Sequence, residues 1–396
     1  MFGAIYVGLS GLNAYSRGLQ QVSANVSNLN TLGFKSSDVS FSDTIAASTN
    51  GGLSLAGTTG NGVGGVELGP NQRDLTQGEL RQTQNDLDLA IDGSGFLVLT
   101  RGDQTYYTRT GSFEVDKDGY VVLAGTDYRL AVLDSANRPV ALSVDNYRTN
   151  PPKTTTTVTF ANNLSSSATT DSIGDVKVFD ASGTQYDWQV QFDKDTSATA
   201  GPDDWTVTVK DSNGNTIGTQ TLKFNLGTID PTTSKLTFAD SKSGLSVVFD
   251  FSQNVTSYSS GDVSSLSVAS VDGNGLGTIS TVAVNADGEL EITYSNTNKK
   301  SLGAVAIADF RDPQSLEAKT GGLYVDNGSA GRQLFTTKSK EAGTVMGQRL
   351  EASNVDLAKE FGDMIMIQRG YQASSQIISV ANDMIQQLFG IRGQAG

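Results

Sequence analysis

The chain has 396 residues, with 28 Lys plus Arg against 42 Asp plus Glu, a formal net charge of −14. That length predicts two or three domains, and the acidic balance excludes general binding to phosphate backbones. Cysteine and histidine are both absent, which excludes disulfides, thiolate or imidazole metal sites, Cys nucleophiles and Ser-His-Asp triads, and leaves carboxylate or Lys/Tyr chemistry as the main enzymatic routes.

From the N-terminus, residues 1–34 carry one charged side chain, Arg17. Ile5, Leu9, Leu12, Tyr15, Leu19, Val22, Val26 and Leu29 form an apolar stripe. From Leu12 onward it steps alternately by three and four, which predicts a helix with a heptad seam. Gly3, Gly8, Gly11 and Gly18 each weaken an isolated helix by about 1 kcal/mol relative to Ala, so this helix should form on packing rather than alone. The first positive side chain follows the apolar part, and the apolar residues are spaced, which argues against a cleaved secretory signal. No apolar run reaches the ~18 residues of a membrane-spanning helix.

Residues 34–75 are Gly/Ser/Thr-rich and read as an extended connector. Residues 76–150 carry strand patterns in LDLAIDGSGFLVLT and YYTRTGSFEVDKDGYVVL, with Asp118-Gly119 as a hairpin signal. Gly93-Ser94-Gly95 lacks the Lys-Ser/Thr and the following helix of a phosphate loop, so it reads as a tight turn. Asp116-Lys117-Asp118-Gly119 lacks the remaining ligands of a Ca²⁺ loop and reads as a hairpin turn. No cofactor or metal is expected.

Residues 151–284 contain no Glu and no Arg. Alternation is clear in WQVQF, WTVTV, TLKFN and LSVVFDF, and Asn213-Gly214 and Asp272-Gly273 supply turns. The segment reads as an inserted antiparallel β-domain. Asp203-Asp204 and Asp309/Asp312 are the nearest approach to paired carboxylates. Nothing in their spacing places two acids across a cleft, so they read as solvated turn residues. Trp188 and Trp205 lie within alternating strands and read as core rather than as a sugar platform.

Residues 285–351 return to the first β-style, and residues 355–389 form a second long helical pattern. Its stripe is Leu357, Phe361, Met364, Gln368, Tyr371, Ser374, Ile378, Ala381, Ile385 and Leu388, with Ser353 or Asn354 as the candidate cap. Small residues (Gly370, Ala373, Ser374, Ser375, Ser379) interrupt it, which permits close approach of a neighbouring helix. The expected fold is mainly β with paired N- and C-terminal α-helices, in a nested arrangement. Residues 1–33 and 352–396 form a terminal helical assembly domain, with 34–75 as connector. Residues 76–150 and 285–351 make a discontinuous β-domain, and 151–284 the inserted one. A two-helix pair has no third layer to bury its remaining faces, and these helices lack charged outer faces. The expected assembly interface is therefore Ile5, Leu9, Leu12, Leu19, Val22, Val26, Leu29, Leu357, Phe361, Met364, Tyr371, Ile378, Ile385 and Leu388, packed against other copies.

SGLNAYSRGLQQVSANVSNLNTLGFKSS near the N-terminus, TQGELRQTQNDLDLAIDGSGFLVL and YTRTGSFEVDKDGYVV in the first β-segment, and LEASNVDLAKEFGDMIMIQRGYQASSQIISVANDMIQQL at the C-terminus resemble the flagellar rod/hook/junction family of axial proteins. The large insertion between the shared β-segments is similar to its hook branch. The matching motif positions are Asn25, Asn28, Thr31, Gly33, Phe34 and Lys35, then Asn354, Gln368, Arg369, Tyr371 and Gln372. Ala24 stands where the family has a further Asn, and Gly370 and Ser374 stand where other residues, often Asn, are common. Residues 151–284 carry no family motif.

The resemblance implies a structural, non-enzymatic subunit without cofactor. It would polymerise in many copies into the flexible, curved flagellar hook that passes motor torque to the filament. Its implied partners are further copies of itself, the flagellar rod, hook cap and hook–filament junction proteins, and the flagellar type III export machinery. The implied location is the extracellular flagellum, reached without a cleaved signal. Two alternatives stand beside it: a distal-rod-type axial protein with an inserted domain and, in another class, a secreted β-rich adhesin or carbohydrate-active protein.

Overall fold

The computed structural model describes residues 2–44, 65–134, 136–197, 201, 203–339 and 341–393. The central part of the expected connector, residues 45–64, lies outside them. The chain divides into two compact units. The first comprises residues 1–145, 282–291 and 301–396, the second residues 146–281 and 292–300. Residues 292–300, grouped by sequence with the flanking β-segments, fall in the second unit.

The first unit contains both long helices, α1 (Phe2–Ser27) and α2 (Leu357–Gly393). They run antiparallel: Gly8 meets Ile378, Gly11 meets Ser374 and Gly18 meets Ile367. Asp356, not Ser353 or Asn354, caps α2. Its Oδ1 accepts from the Ala358 N–H at 2.8 Å, and its carbonyl accepts the Glu360 N–H at 3.0 Å. Asn354 is diverted because its amide is committed elsewhere, to Ser36 and Asp74.

The same unit holds an antiparallel sheet. Its central strands are Phe96–Arg101, Arg129–Leu133, Val121–Leu123, Thr110–Val115 and Asp88–Asp92. Leu97, Leu99, Leu89, Ile91, Phe113 and Ile307 pack on one face, and Phe96, Val98, Tyr107, Ala131 and Phe310 on the other. A strand covered on both faces reads as a continuous apolar run, which is why FLVL shows no alternation. The Asp118-Gly119 turn joins Thr110–Val115 to Val121–Leu123, with Gly119 at φ +78°. Asp116 Oδ1 accepts the N–H groups of Asp118 and Tyr120, so this carboxylate closes the turn. The described ends of segment 34–75 are ribbons rather than plain extended chain. Ser37–Asp38 pairs with Gln72–Arg73, and Phe41–Thr44 with Gly65–Leu68.

The second unit is a β-sheet structure with one aromatic-rich core. Alternating residues of Gln185–Lys194 and Asp204–Lys210 bury Trp188, Val190, Phe192, Trp205, Val207 and Val209. Phe160 stacks on Phe251 with centroids 4.5 Å apart. The two tryptophans are core residues, as expected. Pairing is mostly antiparallel. One strand departs from that expectation: Thr157–Asn163 runs parallel to Leu245–Asp250 and to Val255–Thr256. Alternation sets which face is buried but carries no information on strand direction. Asp204 takes the Gly201 N–H and an ion pair with Lys223, a turn role rather than half of a catalytic pair.

Candidate assembly site on the helix pair

Two neighbouring lines of residues run along each helix. The buried line of α1 is Gly8, Gly11, Ala14, Gly18, Val22 and Asn25. The buried line of α2 is Glu360, Ile367, Ser374 and Ala381, recurring every seventh residue. Apart from Val22 and Ile367 these lines are small or polar, and they let the two backbones approach closely. A Cβ on Gly8 would lie 2.6 Å from Ile378 Cγ1, one on Gly11 2.5 Å from Ser374 Oγ, and one on Gly370 2.5 Å from Tyr15 Cζ. The glycines that weaken an isolated helix are thus what makes the pair possible.

The large apolar residues flank this seam. Among the described residues of those expected at an interface, only Val22 is fully buried, and it is covered within its own chain. Ile5, Leu12, Leu19, Val26, Leu29, Met364, Ile378 and Ile385 are half-buried beside the seam. Leu9, Leu357, Phe361 and Tyr371 are exposed, with Phe361 at 51%. Leu388 has a side chain outside the described residues. Most of the stripe read from sequence therefore lies beside the seam, with Val22, Ser374 and Ala381 on it, because hydrophobicity marks the large residues whereas close approach selects small ones. Ile365, Met366, Ile377, Val380 and Met384, absent from that stripe, are also exposed. Between Ala4 and α2 lies an open groove of about 410 Å³, lined by Ala373, Ile377, Val380, Ala381 and Met384 among others.

At the β-sheet end of the pair, motif residues from both chain ends converge on buried carboxylates. The Lys35 ammonium donates to Glu351 Oε1 and to the Thr76 carbonyl, each at 2.6 Å, and both side chains of the ion pair are fully buried. Burial pulls the Lys35 pKa below the ordinary lysine range, opposed by the charge and hydrogen bond of Glu351. Glu351 Oε2 also faces Arg109 at 3.4 Å, and the Arg109 guanidinium donates to the carbonyls of Gly93 and Gly95. The Gly33 N–H donates to the Glu351 carbonyl at 2.8 Å, and Gly33 has φ +65°, a conformation that favours glycine. Asn25 donates to Glu360 Oε1 and to the Ser37 carbonyl, and accepts the Ser37 N–H. Asn354 accepts the Ser36 N–H at 2.8 Å, and its own N–H reaches the Phe34 carbonyl at 3.4 Å.

Asn25, Gly33, Phe34, Lys35 and Asn354 are therefore brought together. Asn28 and Thr31 bond locally at the end of α1. Gln368, Arg369, Tyr371 and Gln372 lie exposed on α2, outside this cluster. Sequence reasoning missed Arg109, Glu351 and Glu360. A lysine in a nearly uncharged segment was the available signal, since a buried cation needs a carboxylate partner.

Comparison with known proteins gives concordant matches along the chain. Residues 5–35 match the flagella basal body rod protein family, residues 90–167 the flagellar hook protein FlgE/F/G D1 domain, and residues 346–391 the C-terminal part of the flagellar basal body rod FlgEFG proteins. The chain is 30% identical over 433 residues to the flagellar hook protein FlgE of Escherichia coli K12, covering 97% of this chain and 98% of that one. It is 27% identical over 464 residues to FlgE of Borreliella burgdorferi, covering 99% and 100%. The crystal structure of Helicobacter pylori flagellar hook protein FlgE2 aligns with 69% of this chain and 99% of that chain, at 13% identity and a TM-score of 0.46.

Proposed function

The chain belongs to the flagellar hook protein FlgE family, and from that premise we propose that it is a structural subunit of the bacterial flagellar hook, polymerising into the flexible, curved tube that carries motor torque to the filament. The observation that carries this reading is the uncovered apolar surface flanking the helix seam, where Leu9, Phe361, Ile365, Ile377, Val380 and Met384 are exposed. Fully burying one such side chain contributes about 1.5–3 kcal/mol, so helix pairs of neighbouring copies have ample reason to cover one another. In this reading residues 1–33 and 352–396 supply cohesion at the inner wall of the tube. Residues 76–145, 282–291 and 301–351 form the shared β-domain, and 146–281 with 292–300 the outer one.

The proposed partners are further copies of this chain, with rod, hook-cap and hook–filament junction proteins at the ends of the polymer. The proposed route is flagellar type III export without a cleaved signal. Electron microscopy of the purified protein across a concentration series tests the reading. Tubular polymers are expected in the unmodified chain and absent in Phe361→Asp. A chain that stays monomeric at every concentration and ionic strength sinks it.

A further inference from the structure

Sulfur in this chain is confined to methionine, since it has no cysteine and five methionines. Met1 lies outside the described residues, and Met346 is half-buried in the strand Thr344–Gly347. The other three are on α2, where Met364 is half-buried but Met366 is 64% and Met384 48% exposed. Five full turns of helix, about 27 Å, separate the two exposed sulfurs, so both stand on one line of α2 with Ala373 and Ile377. Oxidation selects accessible sulfur, and these two are the described sulfurs that an oxidant in solution reaches first.

Each of the two borders an apolar hollow beside the helix seam. Met366 lines one of about 250 Å³ together with Tyr15, Val39, Phe41, Asp363 and Ile367. Its wall is firmly set, because the Tyr15 and Phe41 rings lie 5.0 Å apart and Phe41 closes on Gly18. Met384 lines the open groove of about 410 Å³ with Ala4, Ile377 and Val380, where Gln376 is the one polar side chain among the described residues. A sulfoxide oxygen covered by such linings would need a hydrogen-bond donor, and covering it without one is costly. Leucine would fill either position at similar volume and helix propensity, but it has no atom that takes up oxygen.

We propose that Met366 and Met384 are oxidation sites through which peroxide-class oxidants reversibly stop the free chain from assembling. The sulfur lone pair attacks one peroxide oxygen, and the S–O bond forms as the O–O bond breaks. A proton passes to the departing oxygen, which leaves as water, so sulfur is oxidised and the peroxide reduced. A polar, chiral side chain then stands where a flexible apolar one was, on the surface that neighbouring copies cover. Reversal removes the oxygen as water while two thiols close to a disulfide. This chain has no thiol, so the reductant is a separate methionine sulfoxide reductase. The proposal rests on the polymer reading above and adds a chemical control to it. Assembled copies cover the same two sulfurs, so the control acts on the free chain.

Hydrogen peroxide applied to the full-length free chain, followed by peptide mass mapping, should place oxygen on Met366 and Met384 before Met346 and Met364. The chain oxidised at both should need a concentration about tenfold higher to form tubes, as the loss of a buried apolar anchor does. Methionine sulfoxide reductase with dithiothreitol should restore the original concentration. In preformed tubes the two sulfurs should oxidise more slowly than in the free chain. Met366→Leu with Met384→Leu should form tubes at one concentration with and without peroxide, and a double variant still stopped by peroxide overturns the assignment. Equal oxygen uptake at all four described sulfurs, or an oxidised chain that polymerises like the untreated one, overturns the proposal and leaves the polymer reading standing. An untreated chain that forms no tubes overturns the polymer reading, and the control falls with it.

Discussion

Asn25 and Glu360 are separated by 335 positions in the sequence, yet the Asn25 amide donates to Glu360 Oε1 at 2.9 Å. The same amide group brackets the Ser37 backbone on both its N–H and its carbonyl. One side chain therefore ties together α1, the segment leaving it and the first turn of α2. The family motif read from sequence is, at this position, a device for closing the two ends of the chain on each other.

That relationship makes the junction sensitive to pH. Burial raises the Glu360 pKa, and Asp363 and Asp38 push it further, against the Asn25 hydrogen bond and Lys359. Lys359 is itself turned to Asp38 at 2.5 Å. A carboxyl whose folded-state pKa is raised contributes stability that is fully present below the ordinary glutamate range and lost as pH rises through the raised value. Glu360→Gln keeps an acceptor for Asn25 without the charge. Urea melts should show the variant gaining on the parent as pH climbs from acid to neutral. Parallel pH profiles would refute the assignment. Asn25→Ala, which strips three buried polar groups of their partner, should cost about 3 kcal/mol, and more at neutral than at acid pH, because the Asn25 hydrogen bond favours the ionised Glu360.

Glu351 answers two buried cations, Lys35 and Arg109. Glu351→Gln leaves both without their carboxylate and should cost about 3–5 kcal/mol. Lys35→Met leaves Glu351 paired with Arg109 and should cost clearly less. Thermal denaturation of the two variants decides this. Equal losses would mean that the Arg109 pair is not formed in solution.

Gly370 has no room for a side chain, because Tyr15 Cζ would be 2.5 Å from a new Cβ. Tyr15 is pinned in turn against Phe41, with ring centroids 5.0 Å apart. Gly370→Ala gains about 1 kcal/mol of helix propensity, yet overpacking should make it net destabilising by about 1–3 kcal/mol. Pairing it with Tyr15→Ala should recover part of the loss in a double-mutant cycle. Simple additivity would disprove the contact.

The two lines on each helix separate folding from assembly. Phe361→Asp and Ile365→Asp alter exposed positions and should leave monomer stability within about 0.5 kcal/mol while abolishing tubes. Val22→Asp buries a carboxylate and should unfold the helix pair, at a cost of about 3 kcal/mol or more. Circular dichroism with sedimentation distinguishes the outcomes. A Phe361→Asp chain that polymerises normally would place the interface elsewhere.

The sequence by itself determined the mainly β class with two terminal helices, the turn at Asp118-Gly119 and the tryptophan core. Each of these follows from local chemistry: hydrophobic period, the φ that Gly permits, and the alternation of a half-buried strand. Tertiary structure alone decided which line of each helix faces its partner. Gly8, Gly11, Gly18 and Glu360 are invisible to a hydrophobic pattern, and they become the seam only once the two backbones come close. It also decided the parallel pairing of Thr157–Asn163 and the convergence of Lys35, Arg109 and Glu351. A long-range pairing depends on where distant segments are brought in space, and the energy that selects it exists only after they meet.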